Sequence, residues 1–163
     1  MRKVILSLTA AVLFSAMLLT LAACGKNGRL RSDVAVADLS AAVEPLIANA
    51  SHLDTADDDY LRFNLDGTDG AAERLVRLSI SGTSLDEYGI FRAASPEDTG
   101  ALADACKAYL QKRNDAWMHT YMVEEYPKLR DAEVKVIGQY VVYMILSESE
   151  KEAITAKITE TLK

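Results

Sequence analysis

The feature that most constrains the fold of this chain is an uncharged, mostly apolar stretch, Val4–Ala23, which ends at Cys24. Two cations, Arg2 and Lys3, precede it. About 20 helical residues span the core of a bilayer, so the stretch is long enough to enter a membrane. The chain has 163 residues, and 140 of them remain to fold if residues 1–23 are removed. That length suits one domain with an ordinary core.

The arrangement resembles a bacterial lipoprotein export signal, in which a peptidase cleaves before a cysteine that then carries lipid. Here the small residues Ala22 and Ala23 precede Cys24. The resemblance implies a signal peptide at 1–23 and acyl chains such as palmitate on Cys24. The protein would then be lipid-anchored at the cell membrane, facing the extracytoplasmic side. An uncleaved transmembrane anchor is the alternative, and it also places the rest of the chain outside the cytoplasm.

Residues 24–33 are predicted to form the lipidated cysteine and a flexible tether, followed by a single domain at 34–163. The tether carries three cations, Lys26, Arg29 and Arg31, close to the expected lipid. They either contact anionic headgroups or belong to a solvated linker. The sequence predicts the membrane as one partner in both cases.

The acidic composition argues against nucleic acid as a partner. The whole chain has 18 cations and 24 acids, a net charge of −6. From Asp33 onward 13 cations remain against the same 24 acids, which gives a net charge of −11. Phosphate backbones repel such a domain, so we expect no nucleic-acid partner.

The first half of the domain predicts one helix and a hairpin. Apolar residues recur at helical spacing over Val34–Ala50, and Pro45 is expected to kink or shorten this helix because proline lacks an N–H donor. A short helical turn is predicted at Asp58–Phe63. Strands are predicted at Ala72–Ser81 and Asp86–Ala94, joined as a hairpin.

The second half predicts a long helix, another hairpin and a last helix. Ser95 caps the long helix and Pro96 begins it, and the helix is expected to continue to about Tyr121. The alternation over Asp131–Leu146 predicts a tight hairpin. A capping box that begins at Ser147 starts the C-terminal helix.

These elements predict an α+β domain. Two hairpins should combine into one antiparallel four-stranded sheet, because strands clustered in hairpins disfavour a parallel βαβ arrangement. The long central helix and the C-terminal helix are expected to cover one face of that sheet, with an N-terminal helix in addition. The dipeptide Tyr126-Pro127 is expected to lie in a loop.

Metal and cofactor sites have weak support in the sequence. Six aspartates fall between positions 54 and 69: Asp54, Asp57, Asp58, Asp59, Asp66 and Asp69. Their spacing lacks the glycine and the final acid of an EF-hand loop, so we expect a solvated acidic segment with at most weak calcium binding. His52 and His119 stand apart from other metal-ligand residues. We therefore expect no metal and no cofactor.

Catalytic motifs are equally weak. The run Ser79-Ile80-Ser81-Gly82 lacks the first glycine of a nucleophile elbow, and Gly67-x-x-Gly70 is too short for a phosphate loop. Cys106 lies on the apolar side of the long helix and is expected to be buried. An aromatic group either packs in the core or forms a sugar- or peptide-binding platform. Its members are Trp117, Tyr121, Tyr126, Tyr140 and Tyr143.

One charged pair has a geometric expectation. Arg113 lies between Tyr109 and Trp117 on the apolar stripe of the long helix, where its guanidinium needs a carboxylate or several carbonyl oxygens. Glu87 shares a strand face with the apolar residues that should contact this helix. We therefore predict an ion pair between Glu87 and Arg113. It either fixes the register of the helix or forms an anion-recognition point near Tyr121.

The order and spacing of these residues resemble small bacterial lipoproteins that carry the domain of unknown function numbered 4358. The resemblance covers nearly the whole exported part and rests on Glu87–Arg92, Arg113, Trp117, Tyr121, Tyr126-Pro127, Val134–Val141 and Ser147. The segment Asp66–Gly70 departs from the pattern. The family implies no activity and no site residues.

Two functions remain open from the sequence. The first is a membrane-anchored, extracytoplasmic lipoprotein with a non-enzymatic binding or interaction role in the cell envelope. Its partner would be an envelope protein, a peptide or a cell-wall ligand. The second is an extracytoplasmic enzyme with an unrecognised site, which a concave pocket with carboxylates of raised pKa would favour.

Overall fold

The computed structural model describes residues 30–118 and 120–163. The predicted signal peptide at 1–23, the predicted lipidation site Cys24, most of the predicted tether and His119 lie outside the described residues. Within the described residues, no helix combines the length and the apolar character needed to cross a bilayer.

The described domain is α+β. Its α-helices are α1 (Val36–Val43), α2 (Asp58–Asn64), α3 (Thr99–Asp115), α4 (Tyr126–Arg130) and α5 (Glu148–Thr161). Its strands are β1 (Leu53–Thr55), β2 (Ala71–Ser79), β3 (Glu87–Ala93), β4 (Glu133–Ile137) and β5 (Tyr140–Ile145). Three short 3₁₀ helices occupy Glu44–Leu46, Ala50–His52 and Pro96–Asp98.

The strands form one antiparallel sheet in the order β1-β2-β3-β5-β4. The two predicted hairpins are present. They join through antiparallel pairing of β3 with β5, in which Glu87 lies opposite Ile145. The prediction of four strands was wrong, because β1 adds a fifth at the edge beside β2. This strand has three residues and contains Asp54 and Thr55, so it is too short and polar to show an alternating pattern.

Helices cover both faces of the sheet, which corrects the expectation of one covered face. Tyr88 and Ile90 of β3 pack in one core with α1 and α5. Phe91 of β3 and Tyr143 of β5 pack in a second core with α3. Every residue of β5 is buried, so this strand presents apolar side chains on both faces and each face needs a cover. Cys106 lies in the second core with no exposed surface, as predicted.

Prolines mark two helix boundaries. Pro45 was expected to shorten the first helix, and α1 does end at Val43, where the 3₁₀ turn Glu44–Leu46 begins. At Tyr126-Pro127 the predicted loop was wrong, because the short helix α4 begins there. Proline is tolerated in a first helical turn, where its missing N–H has no partner to lose.

The long helix is shorter than expected. It ends at Asp115 instead of about Tyr121, and the Trp117 N–H bonds to the Asn114 carbonyl in a tightened last turn. The predicted start at Ser147 is confirmed by a capping box with Glu150. Ser95 also forms a capping box, with Asp98, but it caps the 3₁₀ turn Pro96–Asp98, and α3 begins after that turn at Thr99 instead of at Pro96. The hairpin turn also matches, with Gly138 at a φ of +62° that favours glycine.

Candidate functional site

Glu87 is the centre of a buried polar cluster between the sheet and α3. Its side chain is 2% exposed. One carboxylate oxygen accepts hydrogen bonds from the Tyr109 hydroxyl at 2.6 Å and from the Tyr143 hydroxyl at 2.7 Å. The other oxygen forms an ion pair with the Arg113 guanidinium. The structure therefore brings together the two residues that the sequence paired.

Regular secondary structure positions these donors. Tyr109 and Arg113 are four residues apart on α3, so both side chains lie on the helix face that meets the sheet. Tyr143 reaches the carboxylate from β5, where it lies opposite Gly89 of β3. A Cβ atom at position 89 would collide with the Tyr143 ring. The missing side chain of Gly89 therefore gives Tyr143 the space it occupies.

A second hydroxyl extends the cluster toward α2. The Tyr60 and Tyr109 hydroxyls are 2.7 Å apart. Because Tyr109 donates its proton to Glu87, Tyr60 must donate to Tyr109. Arg113 also donates to the Tyr109 hydroxyl at 3.1 Å. Tyr60 is thus linked to the Glu87 carboxylate through Tyr109, in a satisfied network of the kind that rigidifies a core.

The charges in the cluster stabilise its protonation states. Burial raises the pKa of Tyr143 and of Tyr109, and the negative charge of Glu87 raises both further. Burial lowers the pKa of Arg113, but the charge of Glu87 and the interactions with Tyr109 and Tyr60 together outweigh burial, and the pKa rises. Both phenols therefore stay protonated and donate, and the guanidinium stays charged.

A second buried acid, Asp86, lies one residue earlier and has different partners. Its side chain is 1% exposed and accepts from the Lys128 ammonium at 2.6 Å and from the Asn49 amide at 3.0 Å. Burial would raise the pKa of Asp86, but these hydrogen bonds, the interaction with Ser84 and the charge of Lys128 together outweigh burial and lower the pKa. Lys128 also contacts Glu125 at 2.9 Å, and Glu125 accepts from the Leu85 N–H at 3.0 Å.

The sequence analysis did not predict the ion pair between Asp86 and Lys128. Lys128 belongs to a helix of five residues after a segment that has no periodic pattern, so no spacing pointed to it. The tyrosine donors to Glu87 were also missed. Their signal was present, because Tyr109 precedes Arg113 by one helical turn on the same predicted stripe.

Tyr121 lies in a different environment from the ion pair. Its side chain is 49% exposed, and its hydroxyl donates to the Gly82 carbonyl at 3.4 Å. Its ring is 5.7 Å from the ring of Trp117. Met118 and Val123 are also exposed, and we refer to these two residues and Tyr121 as the Tyr121 surface. In the described part of the chain, the Tyr121 hydroxyl bonds to Gly82 and forms no hydrogen bond with Glu87 or Arg113.

The other predicted aromatic residues divide between core and edge. Tyr140 and Tyr143 are fully buried, while Tyr126 donates to Asn114 at 3.3 Å. Trp117 packs against the second core, and its indole N–H is buried with no hydrogen-bond acceptor in residues 30–118 and 120–163. Of the five aromatic residues, Tyr140 and Tyr143 therefore belong to the core, whereas Trp117 lies at the edge of the second core and Tyr121 is exposed.

The acidic segment has ion-pair partners of its own. Arg62 bonds Asp59 at 2.8 Å, and Arg74 bonds Asp69 at 2.7 Å. Across the described residues, no group of three or more histidine, cysteine or acidic side chains has an arrangement that could hold a metal ion. Weak calcium binding by this segment stays a prediction.

Comparison of the sequence with known protein families gives a match. Residues 48–146 match the family described as Domain of unknown function (DUF4358), which is well over half of the chain. The chain belongs to the DUF4358 family. No curated protein and no solved structure matches it.

The DUF4358 match covers the candidate site. Both buried acids, their cations and the Tyr121 surface lie inside the matched residues, whereas Cys24 precedes them. The match begins after α1 and ends before α5. The family segment therefore contains the whole sheet, α2, α3 and α4, and the flanking helices complete the first core.

Proposed function

We propose that this protein is a lipid-anchored lipoprotein on the extracytoplasmic side of a bacterial cell membrane, and that its domain is a non-enzymatic binding module. The partner, an envelope protein, a peptide or a cell-wall component, binds at the Tyr121 surface. One observation carries the binding role: Met118, Tyr121 and Val123 are all exposed within six positions of one another. Aromatic residues and methionine are enriched in interfaces relative to the rest of protein surfaces.

The buried acids support a structural role for the site interior. Glu87 receives hydrogen bonds from two phenols and a guanidinium, so its oxygens are already occupied. Asp86 is held by Lys128 and has a lowered pKa. A general acid or base usually needs a pKa shifted toward neutral, which a lowered pKa of an aspartate opposes. These contacts favour a rigid support behind an exposed binding surface.

The place where the chain enters the domain suits an anchored binding module. Leu30 packs against Gly138 in the β4–β5 turn, while Tyr121 contacts Gly82 in the β2–β3 loop. Because the strands are antiparallel, these two turns lie at opposite ends of the sheet, about 20 Å apart at roughly 3.4 Å per residue. A lipid on Cys24 would leave the Tyr121 surface free for a partner.

The binding role is tested by crosslinking in intact cells. A photoreactive amino acid replaces Tyr121 in the full chain, and a matched control carries it at Phe63, which is also exposed. We expect a crosslinked product of one defined mass from position 121 that is absent from position 63. The product should disappear when Met118→Asp and Val123→Asp are added. Equal products from both positions, or none from position 121, would contradict the binding role.

The anchor is tested separately by lipid labelling. Cells that produce the full chain receive a radiolabelled or clickable fatty acid, and the protein is then isolated. Cys24→Ala should abolish incorporation, while Cys106→Ala, which removes the buried cysteine, should leave it unchanged. Unchanged labelling of the Cys24→Ala chain would refute the assignment of the lipid to this residue.

A further inference from the structure

Strand β4 lies at one edge of the sheet, and its outward hydrogen-bonding groups can be assigned. Ile137 pairs with Tyr140 across a two-residue turn, so these two residues exchange backbone hydrogen bonds. Hydrogen-bonded pairs alternate along an antiparallel ladder, so Lys135 and Glu133 also bond toward β5. The N–H and C=O groups of Val134 and Val136 therefore point away from the sheet.

This edge is open in the described residues. No backbone hydrogen bond there involves the outward groups of Val134 or Val136. A cleft of about 510 Å³ lies beside the strand along α5, and a cleft of about 230 Å³ lies on its other side along α3. Val136 is 52% exposed. An extended segment can therefore reach the edge, with apolar surface available for it to cover.

The charges of β4 select a partner. Glu133 and Lys135 lie two residues apart on the same face, where they form an ion pair at 2.7 Å within one chain. If a second copy of β4 pairs antiparallel about Val134, each Glu133 lies opposite the Lys135 of the other copy. Pairing about Lys135 would instead place two lysines opposite each other. Opposite charges stabilise cross-strand pairs and like charges destabilise them. The pattern is thus complementary to itself in the register centred on Val134.

Helix α5 follows the same symmetry. Near its start, Lys151 donates to the Asp131 carbonyl, just before β4. At its end, the Leu162 carbonyl accepts from Arg31, close to the turn that follows β4. Helix α5 therefore runs in the same direction as β4. If two copies of β4 pair antiparallel, their α5 helices are also antiparallel, and they lie on either side of the space formed by the larger cleft.

The residues of α5 along that cleft suit such a neighbour. Glu148 and Glu152 lie near the start of the helix, where Glu148 pairs with Lys151 at 2.7 Å, and Lys163 follows its end. Antiparallel helices would bring the acids of one copy toward the lysine of the other. Between them lie Thr155 and Ala156, whose small side chains allow a close approach. This charge order is a second, independent feature that is complementary to itself.

We propose that the domain forms a symmetric dimer in which β4 pairs antiparallel with β4 of a second copy about Val134, joining two sheets into one. Val136 of each copy then covers Ala132 of the other. The twofold axis is perpendicular to the sheet, so both chain entries at Leu30 lie on the same face. The dimer goes beyond the proposed function and does not depend on it.

Sedimentation equilibrium of the full chain in density-matched detergent tests the dimer. Lys135→Glu places like charges opposite each other twice, so the dissociation constant should rise on the order of tenfold. The double variant Glu133→Lys with Lys135→Glu reverses both charges and should restore the original constant. The matched control, Arg62→Glu, makes the same charge change on exposed α2 and should leave the constant unchanged.

A backbone variant provides a second test. The Val136 N–H points outward, so Val136→Pro removes a hydrogen bond of the dimer while leaving the ladder with β5 intact. The chain should become monomeric with an unchanged far-ultraviolet spectrum; if the variant fails to fold, the charge-reversal series decides. A wild-type chain that stays monomeric at the highest soluble concentration would overturn the proposal. A dimer insensitive to both the proline and the charge reversals would also overturn it.

Discussion

Glu87 and Asp86 are adjacent in sequence and equally buried, yet their partners come from different kinds of structure. Glu87 is held by the long elements α3 and β5, through Arg113, Tyr109 and Tyr143. Asp86 is held by Asn49 in a connecting segment and by Lys128 in a helix of five residues. Burial of an acid therefore reveals little about its role until the elements that supply its partners are known.

The two cations also differ in what remains when the acid is lost. Lys128 contacts two carboxylates, Asp86 and Glu125, so it keeps a charged partner without Asp86. For Arg113 the carboxylate of Glu87 is the ion-pair partner in the described residues, and its other hydrogen bond goes to the neutral Tyr109 hydroxyl. Removal of Glu87 should therefore cost more than removal of Asp86.

The largest effect is expected for Glu87→Gln. The substitution leaves Arg113 without a carboxylate in a largely buried position, and breaking a buried pair in this way costs about 3–5 kcal/mol. Urea unfolding at pH 7 measures the loss. A loss of less than about 1 kcal/mol, the value for an exposed pair, would show that the Arg113 guanidinium reaches solvent freely. The stability contribution of Glu87 would then not exceed that of Asp86.

Asp86→Asn should have a smaller effect, about 1–3 kcal/mol, because Lys128 keeps Glu125. The pKa of Asp86 is lowered in the folded protein, so its contribution is complete above the unfolded pKa of about 3.9 and is lost as the pH falls below it. Unfolding of the wild type should therefore become easier below about pH 4, and less so in Asp86→Asn. If the free energy of unfolding falls equally with acid in the wild type and in Asp86→Asn, the Asp86 carboxylate does not contribute to acid sensitivity.

At alkaline pH the tyrosines of the Glu87 cluster should dominate. The pKa of Tyr143 is raised in the folded protein, so its contribution is present below the unfolded pKa of about 10 and is lost as the pH rises above it. Tyr143→Phe should cost about 1 kcal/mol at pH 8, because one hydrogen bond is lost, and should weaken the decline between pH 9 and 11. Tyr121→Phe is the control, since this exposed residue lies outside the cluster.

The smallest effect is expected at the surface. Arg62 pairs with Asp59 at 2.8 Å, but both side chains are mostly exposed. Such pairs contribute about 0–1 kcal/mol, so Arg62→Gln should barely change the free energy of unfolding. Chemical denaturation of Arg62→Gln and Glu87→Gln under the same conditions compares the free energy lost at an exposed pair with that lost at a buried pair. A loss at Arg62 as large as the loss at Glu87 would mean that burial does not determine the cost.

The sequence predicted those parts of the fold and site that follow a period. Helical spacing placed Arg113 on the sheet-facing side of α3, and strand alternation placed Glu87 toward the same helix. Both features are local, so one sequence was enough. Local sequence patterns also gave both hairpins, the cap at Ser95 and the capping box at Ser147.

The remainder depended on tertiary structure. Strand β1 is too short to have a period, and only its pairing with β2 makes it a strand. The choice of one covered face was wrong although a signal was present, because the continuous apolar run of β5 supplies apolar side chains to both faces and so indicated a cover on each. Lys128 reaches Asp86 across 42 positions, and no spacing rule connects them.

The central claim is that Glu87 and Arg113 act as one structural unit that fixes α3 on the sheet. A double-mutant cycle on urea unfolding tests it most directly, with Glu87→Gln, Arg113→Met and the double variant. A second cycle on Asp86 and Lys128 is the reference. We expect a coupling of about 2–3 kcal/mol for Glu87 and Arg113, larger than for the reference pair. A coupling near zero, or one no larger than the reference, would contradict it.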